Sequence, residues 1–573
     1  MNFVLPSMVS LVIVSVLSAC DSDSAGDSGT QADTEVEQTG ALSWSTHIKP
    51  IIAERCGACH VEGGAAPFAL DSYEALNTYG ELALDSMESG RMPPWKAADD
   101  CNPLQHKREI PAEELEVFKA WWSGERQRGP ELSEDLEPQT TTSAMSVSFE
   151  PTHRARVPEP YTPKIGESDD YRCFILDIEI SETMYLIGSD VAPGNRLVHH
   201  VLVYALTGDQ AEEARLLDEA ESGPGYTCFG GPIPIAEGGA PDGASLGATL
   251  SRVSLPNQIG GWVPGASPEL YEPGTALRLD AGSRVVMQVH YSTVAGEELT
   301  DERTEYQAIL TTEPPETLIK SRPFAQRELN IPAGEPEVST SITLPYYSDS
   351  PSVLVGMTGH MHLLGKRIRA EINRADGSRQ CALDIPRWDF QWQEAYSFER
   401  GHELTLESGD RLTLTCVYDN SSTNQPVVNG AQLEPRDVAW GDGTLDEMCL
   451  LYTRSREPFT ELVQSEAPCS STCVEECQGD LNCLTRCEDD DVRCTGCIMD
   501  EVLSCEGGRQ CLAGLLTARE CLSTCIFSAI MLGGNLGLCM EAECAEAWSA
   551  TTTCFAERIA SDSCSAEVTA CGL

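Results

Sequence analysis

Basic residues are scarce. Only 38 Lys and Arg face 90 Asp and Glu in 573 residues, a formal net charge of −52. A field of that sign argues against nucleic acid and anionic membrane surfaces as partners. The acid is spread along the chain rather than held in one block, which reads as a solubility trait. Histidine is also scarce, ten in all and none after His402. Long apolar runs are missing: the longest candidate, "VSLVIVSV" from Val9 to Val16, is too short to span a bilayer as a mature helix. Cysteine is the opposite case. There are 25, and 16 of them lie between Cys469 and Cys571, a density that belongs in an oxidising compartment.

The N-terminal apolar run lacks a basic n-region and ends in Leu17-Ser18-Ala19-Cys20, which resembles the bacterial lipobox. The resemblance implies a lipoprotein-type signal over residues 1–20, with Cys20 diacylated as the first mature residue. The protein would then face the periplasm or the outside, touching a membrane only through that lipid. An ordinary secretory signal is the alternative, and both imply export.

At this length one core is not enough. Residues 21–42 carry six acids and no bases and read as a disordered linker. Residues 43–124 look helical and compact, and a second linker, rich in Pro, Thr and acids, follows over 125–146. From about Val147 short alternating apolar runs such as "LVHHVLVYAL" and "RLTLTCVYDN" are separated by Gly- and Pro-rich turns. That pattern predicts two antiparallel β-sandwiches, 147–312 and 313–460. Over 466–573, Cys-x-x-x-Cys recurs (469/473, 473/477, 483/487, 521/525), which puts both thiols on one helix face. This segment reads as a small helical, disulfide-stapled tail. Zinc at Cys494 and Cys497 is disfavoured by the absence of nearby histidine.

"ERCGACHVEG" contains Cys56-Gly57-Ala58-Cys59-His60. Two thiols at this spacing can add to both haem vinyls while the adjacent imidazole binds iron. A bare Cys-x-x-Cys redox pair is the alternative. The surroundings resemble class I cytochromes c: "GRMPPWKA" places Met92 in the Met-Pro-Pro setting common for the sixth ligand. His47 and His106 are the other candidates for that position. A thioether on iron suits electron transfer over oxygen chemistry.

Four further motifs occur in order: His199-His200 in "LVHHVLVY", His290 in "VMQVHYS", His360 and His362 in "GHMHLLGK", and Met448-Cys449 in "DEMC". On a strand, positions 360 and 362 share a face, whereas neighbours 199 and 200 need a bulge or ligation through different ring nitrogens. Together these motifs resemble the copper type II, ascorbate-dependent monooxygenases, the family of the peptidylglycine α-hydroxylating and dopamine β-monooxygenases, across just over half the chain. The resemblance implies two jelly-roll-like sandwiches and two copper ions. His199, His200 and His290 would hold an electron-storing copper. His360, His362 and Met448 would hold the catalytic copper that meets O2. Zinc is the competing metal, but a His-His-Met set favours copper. The family also implies a disulfide between Cys449 and a cysteine on a nearby strand, a role Cys416 fits. Cys173 and Cys228 straddle the His-His motif and could pair as well; the pairing of Cys101 and Cys381 stays open.

Two departures matter. Thr358 and Leu450 stand where peptidylglycine enzymes carry an arginine and an asparagine that hold the substrate, while Tyr452 does match. A neutral or apolar small-molecule substrate is therefore expected. The fused cytochrome would feed the three-histidine copper, with an external reductant or redox protein behind the haem. The alternative is an exported electron-transfer or copper-holding surface protein without turnover.

Overall fold

A computed structural model describes residues 42–62, 64, 66–130, 149–164, 169–228, 231–233, 256–266, 268–293, 298–428, 431–441, 443–459 and 519–560. Cys20, the signal segment, the first linker up to residue 41, most of the second linker and the tail cysteines before residue 519 lie outside the described residues.

The N-terminal part is helical. A π-helical turn, Trp44–Ile48, runs into the helix Lys49–Arg55, followed by helices Tyr73–Glu88 and Ala112–Ser123. Ser72 caps the second of these by accepting from the Ala75 N–H at 3.1 Å. Trp44, Ile48, Ile52, Leu76, Phe118 and Trp121 form its core, each such side chain contributing about 1.5–3 kcal/mol on burial. Gly80 is required there: a Cβ would lie 2.3 Å from the Trp122 ring.

Strands dominate from His153 to Pro458. A five-stranded sheet runs in the order Tyr226–Thr227, Asp169–Glu179, Arg284–Ser292, Val198–Leu206, Asn257–Trp262. A four-stranded sheet runs in the order Val338–Pro345, Arg411–Tyr418, Gly365–Asn373, Arg379–Ile385. Both pack against one large sheet with the order His153–Arg156, Glu305–Thr311, Met184–Ala192, Thr275–Leu279, Thr317–Ala325, Leu450–Pro458, Ser352–His360, Ala395–Ser397. Phe174, Val201, Met287, Leu277 and Tyr306 fill the first interlayer core. Phe324, Met357, Ile368, Leu414 and Leu451 fill the second.

The two sandwiches are thus not separate. They share the large sheet, joined where Thr317 and Leu318 pair parallel with Thr275 and Ala276. An otherwise antiparallel expectation misses this seam because two paired residues leave no periodic trace. The helix Gly208–Ala220 also interrupts the strand-rich region. Its run of Ala, Glu, Arg and Leu is helix-favouring, and Arg215 ion-pairs with Glu212 and Glu219 one turn away on either side.

Disulfides join Cys173 to Cys228 and Cys416 to Cys449. A third, Cys101–Cys381, ties the helical part to the second sandwich. In the tail, helices Arg519–Leu532, Leu536–Glu543 and Ala545–Ala560 are stapled by Cys521–Cys544 and Cys525–Cys539. The tail packs on the second sandwich: the Ser528 hydroxyl donates to the Pro345 carbonyl, and Glu543 takes Arg411 and the Tyr347 hydroxyl. Several disulfides suggest an exported protein. No helix among the described residues is long and apolar enough to cross a membrane.

Candidate metal centres

His200 and His290 sit opposite each other on the adjacent strands Val198–Leu206 and Arg284–Ser292, and Tyr171 sits opposite His290 on the far side. The register slips between Val198 and His200. That bulge turns His199 toward the same side as His200, so both neighbours meet His290 through the same ring atom. The three Nδ1 atoms form a triangle with edges of 3.3, 3.2 and 3.1 Å. The centre of such a triangle lies just under 2 Å from each corner, close to the usual metal–imidazole distance of about 2.0 Å.

The rings are oriented from behind. His290 Nε2 contacts Asp169 Oδ1 at 2.7 Å, which leaves Nδ1 for the cluster. Tyr171 stacks on His290 with centroids 4.2 Å apart and planes 2° from parallel. Burial, then the neighbouring His290, pushes the His199 pKa down to about 4, and burial holds His200 well below its ordinary value. The His199 and His200 imidazoles are therefore neutral at pH 7, the form that binds a metal. This is the one group of three or more His, Cys, Asp or Glu side chains among the described residues placed to hold a metal ion.

The second pair is built differently. His360 ends the strand Ser352–His360, whereas His362 lies beyond it in the turn leading to Gly365–Asn373. Strand alternation therefore does not align them; the chain leaves the sheet after His360, and the turn brings the ring centroids to 5.1 Å. His360 Nδ1 donates to Gln393 Oε1 at 2.6 Å and His362 Nδ1 to the Asp446 carbonyl at 3.1 Å. Both acceptors are oxygens, which fixes each proton on Nδ1 and leaves both Nε2 atoms free. Burial lowers both pKa values, that of His362 to about 3. Met448 is 8% exposed. His360 pairs with Leu450 across the ladder, and Met448 lies two residues before Leu450.

Glu447 fastens this corner. Its buried carboxylate accepts from the backbone N–H of His362 (2.9 Å), Leu364 (2.6 Å) and Met448 (3.3 Å). Burial pushes its pKa up to about 8 against those donors. The Cys416–Cys449 disulfide and the Tyr418 hydroxyl, which donates to the Met448 carbonyl at 2.9 Å, hold the other side.

A single loop connects the groups. Within Arg387–Glu394, Trp388 Nε1 donates to the His362 carbonyl at 3.1 Å, and Phe390 meets the His362 ring edge-on. Gln391 hydrogen-bonds His199, and Gln393 holds His360. Thr444, four residues before Met448, bonds the Tyr171 hydroxyl. One loop thus contacts both histidine groups.

Cys56 and Cys59 are free thiols. Burial, then Cys59, pushes the Cys56 pKa up to about 12, and burial raises Cys59. The His60 N–H donates to the Cys56 carbonyl at 2.9 Å, while its Nδ1 faces the Phe68 carbonyl at 2.9 Å, so its Nε2 is available. Met92 is half-buried, its N–H on the Ser86 carbonyl at 3.0 Å. His106 is exposed, and His47 takes the Ser43 N–H on Nδ1 at 3.2 Å. Arg108 Nε is buried without a partner beside this segment. Free paired thiols and an oriented imidazole fit a covalently attached haem.

Asp169, Tyr171, Gln391, Gln393 and Glu447 escape sequence reading. The first four come from remote strands and loops that no spacing links to the histidines they serve, and Glu447, although inside the DEMC motif, gives no sign there of its hold on the backbone. "QWQE" in an otherwise apolar stretch is the one local hint.

Among known proteins, residues 331–477 match the family described as copper type II ascorbate-dependent monooxygenase, C-terminal domain. The match spans His360, His362, Cys416, Met448 and Cys449; the three-histidine group and the Cys56–His60 segment lie outside it. Among solved structures, infectious bursal disease virus Gx strain is 10% identical over 58% of this chain and 87% of that chain, with a TM-score of 0.14. The VP2 subviral particle of the same virus is also 10% identical, over 54% and 80%, with a TM-score of 0.13. Scores this low carry no argument. The family match supports a copper type II ascorbate-dependent monooxygenase domain around the second histidine pair, and that domain suggests copper-dependent hydroxylation.

Proposed function

We propose that the protein is a copper monooxygenase that hydroxylates a C–H bond of a small substrate without a carboxylate anchor, converting R–H, O2, two electrons and two protons into R–OH and water. The observation that carries this reading is the pair of amides on one loop, Gln391 on His199 and Gln393 on His360. They tie two histidine groups of different build to one loop. Bound copper would supply one-electron storage at His199, His200 and His290, and oxygen activation with hydrogen-atom removal at His360, His362 and Met448.

The chain's own residues prepare both sites. Asp169 fixes His290, Gln393 and the Asp446 carbonyl fix the tautomers of His360 and His362, and Glu447 holds the backbone from which His362 and Met448 project. The Met448 thioether favours the reduced metal. Strand alternation and register put Thr358, Leu450 and Tyr452 on the same sheet face as His360. None carries a charge, which suits a neutral or apolar substrate. A c-type haem held by Cys56, Cys59, His60 and Met92 would supply one-electron transfer. A small reductant or a redox protein stands upstream, and Cys20 carries the lipid that anchors the exported chain.

The test is reductant-dependent oxygen uptake across a panel of neutral substrates. The expected result is substrate-stimulated uptake with one oxygen atom from 18O2 in the product, abolished in His360→Ala. Reduction and reoxidation of the protein with no substrate-dependent uptake would make it an electron carrier instead.

A further inference from the structure

The segment Trp95–Arg108 of the helical part is sewn onto the second sandwich. Besides the Cys101–Cys381 disulfide, Ala98 N–H donates to the Asp384 carbonyl (2.8 Å), Gln105 N–H to Ser397 (2.8 Å) and Glu399 N–H to Pro103 (3.0 Å). Lys96 pairs with Asp389 at 2.9 Å, and Arg108 pairs with Glu394. Both acids lie in the loop that holds the histidine groups. The haem-binding segment is therefore not a mobile tethered module, as two linkers suggest, but fixed against the sandwiches.

Its contact point is defined. The position a Cβ on Gly265 would occupy is 2.7 Å from Arg108 Nη1 and 3.4 Å from Cys59 Sγ. Cys59 Sγ and Arg108 Nη1 thus both lie against Gly265. From there the connection is short: the Arg108–Glu394 ion pair, the peptide bond to Gln393, and the 2.6 Å hydrogen bond to His360. Toward the other group the same loop must be followed two residues further, from Gln393 through Trp392 to Gln391 and its hydrogen bond to His199. Electronic coupling is stronger through few bonds and hydrogen bonds than through many.

The geometry points to the His360, His362 and Met448 group, not the three histidines, as the first acceptor of the haem electron, reached through Arg108, Glu394 and Gln393. This rests on the copper-and-haem reading above. The step is one electron: ferrous haem becomes ferric as one Cu(II) becomes Cu(I), with no proton required. Arg108 and Glu394 are positioning residues in it.

The test is anaerobic flash photoreduction of the haem in full-length, copper-loaded protein, following haem reoxidation by absorbance and Cu(II) loss by freeze-quench electron paramagnetic resonance. Haem and copper are quantified in each sample. Reoxidation is expected to persist in His290→Ala, to vanish in His360→Ala, and to slow about tenfold in Arg108→Leu and in the conservative Glu394→Gln. Fast reoxidation in His360→Ala that is lost in His290→Ala would overturn the assignment, as would unchanged rates in both Arg108→Leu and Glu394→Gln. Protein that contains no haem or no copper would instead overturn the reading on which it rests.

Discussion

At the scale of single residues, both histidine groups obey one rule: each ring has a fixed partner on the side away from the metal position or a neighbour that orients it. Asp169 is the sharpest case. Asp169→Asn keeps the size but removes the charge facing His290 Nε2, and should weaken copper binding at the three histidines by about 10–100-fold. Competition with a chromophoric chelator measures this, and the His360 site should be unaffected. Glu447 acts on the backbone. Glu447→Ala would strand three buried N–H groups at about 1–3 kcal/mol each, so metal-free protein should lose at least about 3 kcal/mol in denaturant unfolding. A third residue reports on pH alone. Burial pushes Asp190 from the ordinary 3.8 up to about 6. The fold therefore favours its protonated form, full stability lies below 3.8, and it is lost as pH rises through about 6. Asp190→Asn should raise the unfolding free energy at pH 7.5 by no more than about 1 kcal/mol after solvent screening, and leave it unchanged near pH 4.

At the scale of elements, the local patterns were legible and the junctions were not. Alternating apolar runs marked the strands, and four-residue cysteine spacing marked the tail helix on which Cys521 and Cys525 both lie. The His199-His200 pair called for a bulge or for ligation through different ring nitrogens, and the register slip supplies the bulge. His362 was misplaced because a period of two cannot tell where a strand stops. The partners of the histidines were invisible for a different reason: Asp169 is 121 positions from His290 and Gln393 is 33 from His360, so only the folded sheet order brings them together. The Arg387–Glu394 loop is the element on which the account leans most. Gln393→Leu should leave the fold intact yet free the His360 ring, changing the copper hyperfine pattern of that site while the three-histidine signal stays constant.

At the scale of the whole molecule, a shared sheet joins the sandwiches, and a disulfide with flanking hydrogen bonds joins the helical part to them. The Cys56–His60 segment and both histidine groups are thereby held in one body without relying on a linker. Heat should unfold the haem absorbance and the far-ultraviolet circular dichroism in one transition. Replacing Cys101 and Cys381 with serine should split it, because a disulfide closing a loop this long withdraws several kcal/mol of chain entropy, about 5 kcal/mol in the chain-entropy estimate. The central claim is that this body holds two different copper sites. Its most direct test is the copper and zinc content of Cu(II)-loaded, desalted protein beside His290→Ala and His360→Ala. Two coppers in the parent and one in each variant are expected; no retained copper, or zinc held in preference to it, would contradict the account.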